Sequence, residues 1–219
     1  MITSDKCYFN KEIHYGYKET DTLGGKDPYS ASKACTEILT KSHALSFDDL
    51  KICTARAGNI LGGGDWAKDR IITDIVKSIQ NKVDIVIRSP MAIRPWQHVI
   101  DVVNGYLKLA IYNQEKEEVF ESFNFGPLEE NEITVEMLTQ KFISNWNSCN
   151  SKVILDKNEN LPESKTLRLD STKAKKILNW EPLMDIDTTI KETAIWYEKF
   201  YSEKNIYDFT IKQINKYLY

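Results

Sequence analysis

The sequence predicts an α/β fold built on a mostly parallel sheet. Segments with apolar residues at every third or fourth position alternate along the chain with short runs of β-branched and aromatic residues. A long amphipathic segment, 29–47, leads directly into a buried apolar run, 51–55. Beyond the end of that run lies a glycine-rich stretch, 58–64, at the place where α/β folds bind ligands.

Residues 1–6 read as the last two residues of a buried strand entering a polar turn, and a strand ordinarily needs about five. In 29–47 the positions Ala31, Ala34, Cys35, Ile38, Leu39, Ser42 and Leu45 make one apolar helical face, with Pro28 suited to the first turn. The run 51–55 is a strand and 58–65 a loop. Helical spacing returns at Ile71, Ile72, Ile75, Val76 and Ile79, and 83–87 is β-branched enough for a strand. Pro90 and Pro95 bracket a loop before a helix carrying Val99, Val102, Val103, Tyr106 and Ala110. The stretch 119–125 alternates like a half-exposed strand, and Thr134 caps a helix running to Trp146. The polar stretch 147–163 contains one short strand, 153–155, and 166–169 is another. Asp170 then caps a short helix ending near Leu178, and Asp187 a long one ending near Tyr201. A change of composition near Asn147 divides the chain into 1–146 and 147–219.

Composition narrows the partners. Net charge is −3 with Lys and Arg scattered, so neither nucleic acid nor an anionic membrane surface is expected. No apolar run reaches the length of a membrane span, and the first ten residues do not have the pattern of a secretion signal. Cys7, Cys35, Cys53 and Cys149 form no CxxC pair, which suggests reduced thiols and a cytoplasmic setting; His14, His43 and His98 share no metal-ligand spacing.

Tyr29 and Lys33 stand four apart, one turn above each other on a helix. An ammonium beside a phenol favours the phenolate, and such a tyrosine can accept a proton from a sugar hydroxyl. The same spacing also occurs on ordinary solvated helix faces, so the pair gains meaning from its surroundings. Ser4-Asp5-Lys6 precedes it, and the helix opens Asp27-Pro28-Tyr29-Ser30-x-Ser32-Lys33. Three further blocks follow: 55–70, which contains Arg56, Asn59, Gly62-Gly63-Gly64 and Arg70; 93–99, which contains Arg94, Trp96 and His98; and 123–127. Near the end stands Leu178-Asn179-Trp180-x-Pro182.

Together these blocks resemble the nucleotide-sugar 4,6-dehydratases of the extended short-chain dehydrogenase/reductase type. Lys6 stands where the thymidine-type enzymes have Glu, which resembles the CDP-glucose branch, and Asn179 replaces a family Gly. The resemblance runs to about Tyr201 and leaves 202–219 unmatched. It implies a doubly wound, Rossmann-type NAD-binding domain with a smaller C-terminal α/β substrate-binding part. Tyr29, Lys33 and Ser4 are then the pair and hydroxyl that take the glucose O4 proton, Asp5 the acid at C6 and Lys6 the base at C5. Tyr29, Lys33 and Arg56 would also contact the cofactor, and Asn59, Arg70 and Arg94 the substrate.

No GxGxxG turn occurs in the chain, so the first βαβ units and the adenosine half of an NAD site are expected to be missing. That leads to two expectations: a chain inactive by itself, and a partner that is either a second copy or a separately encoded N-terminal half. Another nucleotide-sugar dehydratase or epimerase, a non-catalytic nucleotide-sugar-binding module and a gene remnant stand as alternatives. An acid and a base beside Ser4 argue against the epimerase, which has no elimination to catalyse.

Overall fold

The computed structural model describes residues 1–47, 50–127, 133–147, 149–156, 166–203 and 205–218. Its centre is a parallel pair, β1 (Ile52–Ala57) and β5 (Phe120–Phe125), in register from Ile52 opposite Phe120 to Ala57 opposite Phe125. The N-terminal segment lies along the other side of β1, where Ile2 makes a parallel bridge to Ala55. The Thr3 N–H donates to the Ala55 carbonyl, and the Ala55 N–H to the Met1 carbonyl, both at 2.9 Å. The α/β class with parallel pairing is therefore as expected.

Strand alternation divides the sheet into two chemically different faces. Cys53, Ala55, Ala57, Phe123 and Phe125 point to one side, where helices α3 (Val99–Glu115) and α5 (Thr172–Leu178) cover them and Trp180 seals the cluster. The opposite face carries Thr54, Arg56 and Asn124, all buried, and meets helix α1 (Pro28–Ser46).

This polar face explains a departure from expectation in α1. Its buried positions are Ser30, Ala34, Glu37, Thr40 and Ala44. Ile38, Leu39 and Leu45, expected in the core, are exposed. A helix laid on Thr54 and Arg56 has to present small or polar groups to them, so the apolar stripe faces outward.

One residue after β1 the chain forms β2 (Asn59–Leu61), which pairs in parallel with β4 (Trp96–His98). Neither strand was expected, since both sit in Gly- and Pro-rich stretches and lack a run of branched apolar residues. β3 (Ile85–Ile87) pairs in parallel with β6 (Val153–Leu155). The largest apolar core gathers these strands with α2 (Ile71–Asn81), α4 (Val135–Ser144) and α6 (Ile186–Ser202) around Ile75, Leu138, Phe142, Ile190 and Tyr197.

Several boundaries differ from the sequence reading, among them the start of α5, where Ser171 rather than Asp170 stands at the N-cap. Asp185, not Asp187, caps α6, its carboxylate accepting from the Thr188 N–H; Asp187 pairs with Lys141 instead. The stretch 166–169 makes two isolated bridges, Ile93 to Thr166 and Tyr17 to Leu169, rather than a strand. The tail forms α7 (Ile206–Leu218), held on α6 by polar bonds from Gln213, Lys216 and Tyr217 to Glu192. Part of the polar stretch expected over 147–163 lies outside the described residues. No described helix is long and apolar enough to cross a membrane.

Candidate active site

The chain between the Ile2 bridge and α1 creates the site. Ser4 has extended backbone and caps a single 3-10 turn, Asp5–Cys7, with its hydroxyl accepting from the Lys6 N–H at 3.2 Å. That hydroxyl donates to Asp5 Oδ1 at 2.8 Å. Asp5 is 2% exposed, and its Oδ2 has no hydrogen-bond partner among the described residues. Burial pushes its carboxyl above the ordinary range; the charge of Lys6, the Ser4 hydroxyl and the charge of Arg94 offset that only in part.

Helix α1 packs against this turn. Its start is fixed by Asp27, whose carboxylate accepts from the Ser30 N–H at 3.0 Å, and by Pro28 in the first helical position. Tyr29 therefore falls in the first turn, 55% exposed, and the Lys33 ammonium lies 5.6 Å from its ring centre. A solvent-accessible phenol thus stands with a cation along its ring, next to a turn that holds a buried carboxyl.

Arg94 is almost wholly buried; it donates to the Ile93 carbonyl at 2.9 Å, and its charge acts on Asp5. Asn59 opens β2, half-buried, and Arg70 is exposed at the N-terminus of α2. Between them runs the glycine loop. A Cβ at Gly63 would stand 1.8 Å from Trp196, so the absence of a side chain there lets the loop lie directly on α6. Gly64 takes a left-handed φ of 87°. The Tyr197 hydroxyl donates to the Asp65 carbonyl at 2.7 Å and accepts from its N–H at 3.1 Å, fixing the far end of the loop. Trp66 packs edge-on against Tyr197 at 5.3 Å. Trp196 and Tyr197 have no motif around them in the sequence, and only their place in an amphipathic helix hinted that they were buried.

Arg56 takes a place other than the cofactor contact expected of it. It is 3% exposed, and Nη2 pairs with the Glu37 carboxylate at 2.8 Å. Nη1 donates to the Tyr8 hydroxyl at 2.9 Å and to the Glu19 carbonyl at 3.2 Å. Tyr8 passes its own proton to Asn124 Oδ1 at 2.6 Å. Nη1 and Nη2 are therefore engaged inside the protein, while Nε is buried with no hydrogen-bond partner among the described residues. Among the described residues no group of three or more His, Cys, Asp or Glu is placed to hold a metal ion.

The chain is 37% identical to the CDP-glucose 4,6-dehydratase of Salmonella typhimurium over 99% of its own length and 63% of that protein. It is 24% identical to the dTDP-glucose 4,6-dehydratase of Streptomyces griseus over 91% of its length and 58% of the relative. The chain thus spans less than two thirds of the length of either relative. The fold is that of the UDP-glucose 4-epimerase of Thermotoga maritima solved with UDP-glucose (TM-score 0.78, 20% identity, 91% of this chain and 63% of that one). It is equally that of the dTDP-glucose 4,6-dehydratase of Bacillus anthracis in complex with NAD (TM-score 0.75, 19% identity, 90% of this chain and 60% of that one). A sequence model of the GDP-mannose 4,6 dehydratase family matches residues 1–193, and the chain belongs to that family.

Proposed function

We propose that the chain carries the catalytic half of a CDP-glucose 4,6-dehydratase, converting CDP-glucose to CDP-4-keto-6-deoxyglucose and water with NAD as the cofactor. The observation that carries this reading is Asp5: a buried carboxyl with a raised pKa, bonded to Ser4 and flanked by Lys6, in a turn packed against the helix that presents Tyr29 and Lys33. An elimination needs a proton donor at the leaving hydroxyl, and desolvation shifts the Asp5 carboxyl toward its protonated form.

The accessible Tyr29 hydroxyl and the Lys33 ammonium beside it suit the nicotinamide end of the cofactor. NAD, when bound there, would supply the hydride acceptor for C4 and the hydride donor for C6. Tyr29, assisted by Lys33 and Ser4, accepts the O4 proton as the 4-ketone forms. Lys6 removes the C5 proton that the ketone has made acidic. Asp5 protonates the C6 hydroxyl, which leaves as water. Asn59, the Gly62–Asp65 loop, Arg70 and Arg94 hold the nucleotide diphosphate, since backbone N–H groups and guanidinium both suit phosphate oxygens. Residues 147–219 complete the substrate-binding part.

The relatives extend well beyond what the chain matches, and the 219 residues contain no dinucleotide-binding glycine turn. We therefore assign the adenosine end of the NAD site to polypeptide outside them, either a separate N-terminal half or a portion of the same protein. The outward stripe Ile38, Leu39 and Leu45 suits contact with it or with a second copy of α1. The setting is taken to be cytoplasmic, in polysaccharide precursor supply.

Turnover of CDP-glucose with NAD, assayed as the 4-keto-6-deoxy product with the chain alone and with an added N-terminal half, tests the reading. Product is expected with the half added. Tyr29→Phe should lower it by about 10²–10⁴-fold, as loss of a positioned proton acceptor does. An Asp5→Asn variant that kept full turnover would remove the dehydratase assignment.

A further inference from the structure

The face of β1 beneath α1 is a buried polar layer that the proposed chemistry does not use, and its centre is Glu37. This residue is 1% exposed and follows Tyr29 and Lys33 on α1 by two turns and one turn. Its carboxylate accepts from three directions. Thr3 donates to Oε1, Thr54 donates to Oε2 at 2.8 Å, and Arg56 Nη2 pairs with the same oxygen at 2.8 Å. Thr3 immediately precedes Ser4, and Thr54 and Arg56 belong to β1. One side chain of α1 is thus bonded both to the strand below it and to the segment leading into the Ser4–Lys6 turn.

The apolar residues of α1 cannot supply this anchorage, because Ile38, Leu39 and Leu45 face outward. Its other buried side chains are small or bear hydroxyls, and non-directional packing of such groups leaves rotation about the helix axis weakly specified. A charged fork bonded to two hydroxyls and a guanidinium specifies it, since hydrogen bonds to ionised groups are short and directional. Arg56 is in turn held by Tyr8 and the Glu19 carbonyl, so the anchor point does not drift.

We propose that Glu37 is a positioning residue: held by Arg56, Thr54 and Thr3, it sets the rotation of α1 that brings Tyr29 and Lys33 to the Ser4–Lys6 turn. This rests on the reading of Tyr29 and Lys33 as the reacting pair. Arg56 belongs to the same device, serving the site through Glu37.

The test reads the surroundings of the Tyr29 hydroxyl without requiring turnover. The full chain is treated with tetranitromethane, which nitrates accessible tyrosine rings, and nitration of each tyrosine is followed by peptide mass spectrometry. Tyr15 and Tyr207, exposed and distant in sequence from α1, serve as internal standards. Lys33→Met should slow Tyr29 relative to them by about threefold or more, because the ammonium beside its ring, which attracts the anionic leaving group of the reagent, is gone. Glu37→Gln, which cannot pair with Arg56, should slow Tyr29 to a similar degree. Glu37→Asp keeps the charge but is one methylene shorter, so it should change the Tyr29 rate in a chain that remains folded by circular dichroism. It stands in for Gln should that variant not fold. Tyr29 rates equal to wild type in folded Glu37 variants, alongside a slowed Lys33→Met, would overturn the positioning role alone. An unchanged Lys33→Met would instead remove the Tyr–Lys reading, and the proposal with it.

Discussion

Alanine at position 63 adds one methyl group where the packing has no room for it. The new Cβ would lie 1.8 Å from Trp196 Cδ2, whereas ordinary contact begins at 3.4 Å, so loop or indole must give way by about 1.6 Å. The indole is not free to yield. It is 8% exposed, stacks on Phe200 at 5.6 Å, and its Nε1–H donates to Thr210 at 2.9 Å. The loop is held at its other end by the two Tyr197–Asp65 bonds. Overpacking of this kind costs about 1–3 kcal/mol. For a chain of this length each kcal/mol lowers Tm by about 2–4 °C, so a loss of about 4–8 °C is expected at the middle of that range. The diagnostic assay is a double-mutant cycle with Trp196→Leu, in which the Gly63→Ala cost should shrink by about 1–2 kcal/mol. Gly64→Ala is the control: its Cβ has 3.8 Å to the nearest atom of Trp196, but φ is 87°, so a backbone cost of about 1–2 kcal/mol should persist in both backgrounds. A Gly63→Ala cost that is absent, or that is the same in the wild-type and Trp196→Leu backgrounds, would refute the reasoning.

Two further perturbations follow from buried carboxylates. Asp101 is wholly buried and its pKa is pushed up to about 6 by desolvation, although it accepts the backbone N–H groups of Leu183 and Met184. The folded chain therefore holds a proton between about pH 4 and 6 that the unfolded chain has released, and stability falls as pH rises through that window. Asp101→Asn should gain up to about 3 kcal/mol at pH 7 and nothing at pH 4; urea melts at the two pH values giving the same difference would dismiss this account. His98, lowered to about 4 by burial, acts in the opposite sense, withdrawing stability as pH falls from about 6.5. Glu192→Ala removes the acceptor for Gln213, Lys216 and Tyr217, and hydrogen exchange should show protection lost across 206–218 while 186–200 keeps its own.

The parts of the fold that were legible share a physical cause. Helices α2, α3, α4 and α6 bury apolar residues against apolar neighbours, so their periodicity in sequence is their packing in space. β2 and β4 were illegible because Asn59-Ile60-Leu61 and Trp96-Gln97-His98 sit beside glycine and proline without the run of branched apolar residues that marked the equally short β3 and β6. The tail helix α7 was missed for a different reason. Only its first turns, through Ile206 and Phe209, pack apolar side chains on the main core, and the rest is held by polar bonds to one glutamate on α6, so its hydrophobic signature in sequence is short.

Arg56 and α1 make the same point at the site itself. An arginine at the end of a strand, close to a glycine loop, has the same sequence whether it meets a phosphate or a carboxylate; the choice rests with whatever the facing helix presents. Here that helix presents Glu37, and the pairing follows from the polar face of β1, where Thr54 and Arg56 alternate with Cys53, Ala55 and Ala57. The apolar stripe of α1 was misread for the same cause. Reading it as the buried face assumed an apolar sheet beneath, and this sheet is apolar on the α3 side and polar on the α1 side. A buried ion pair seldom repays its own desolvation, and removing one partner is costly because the other charge is left stranded. Its presence under the Tyr29 helix is thus hard to explain as stabilisation alone, and it is consistent with the proposed role of Glu37 in specifying the helix's rotation.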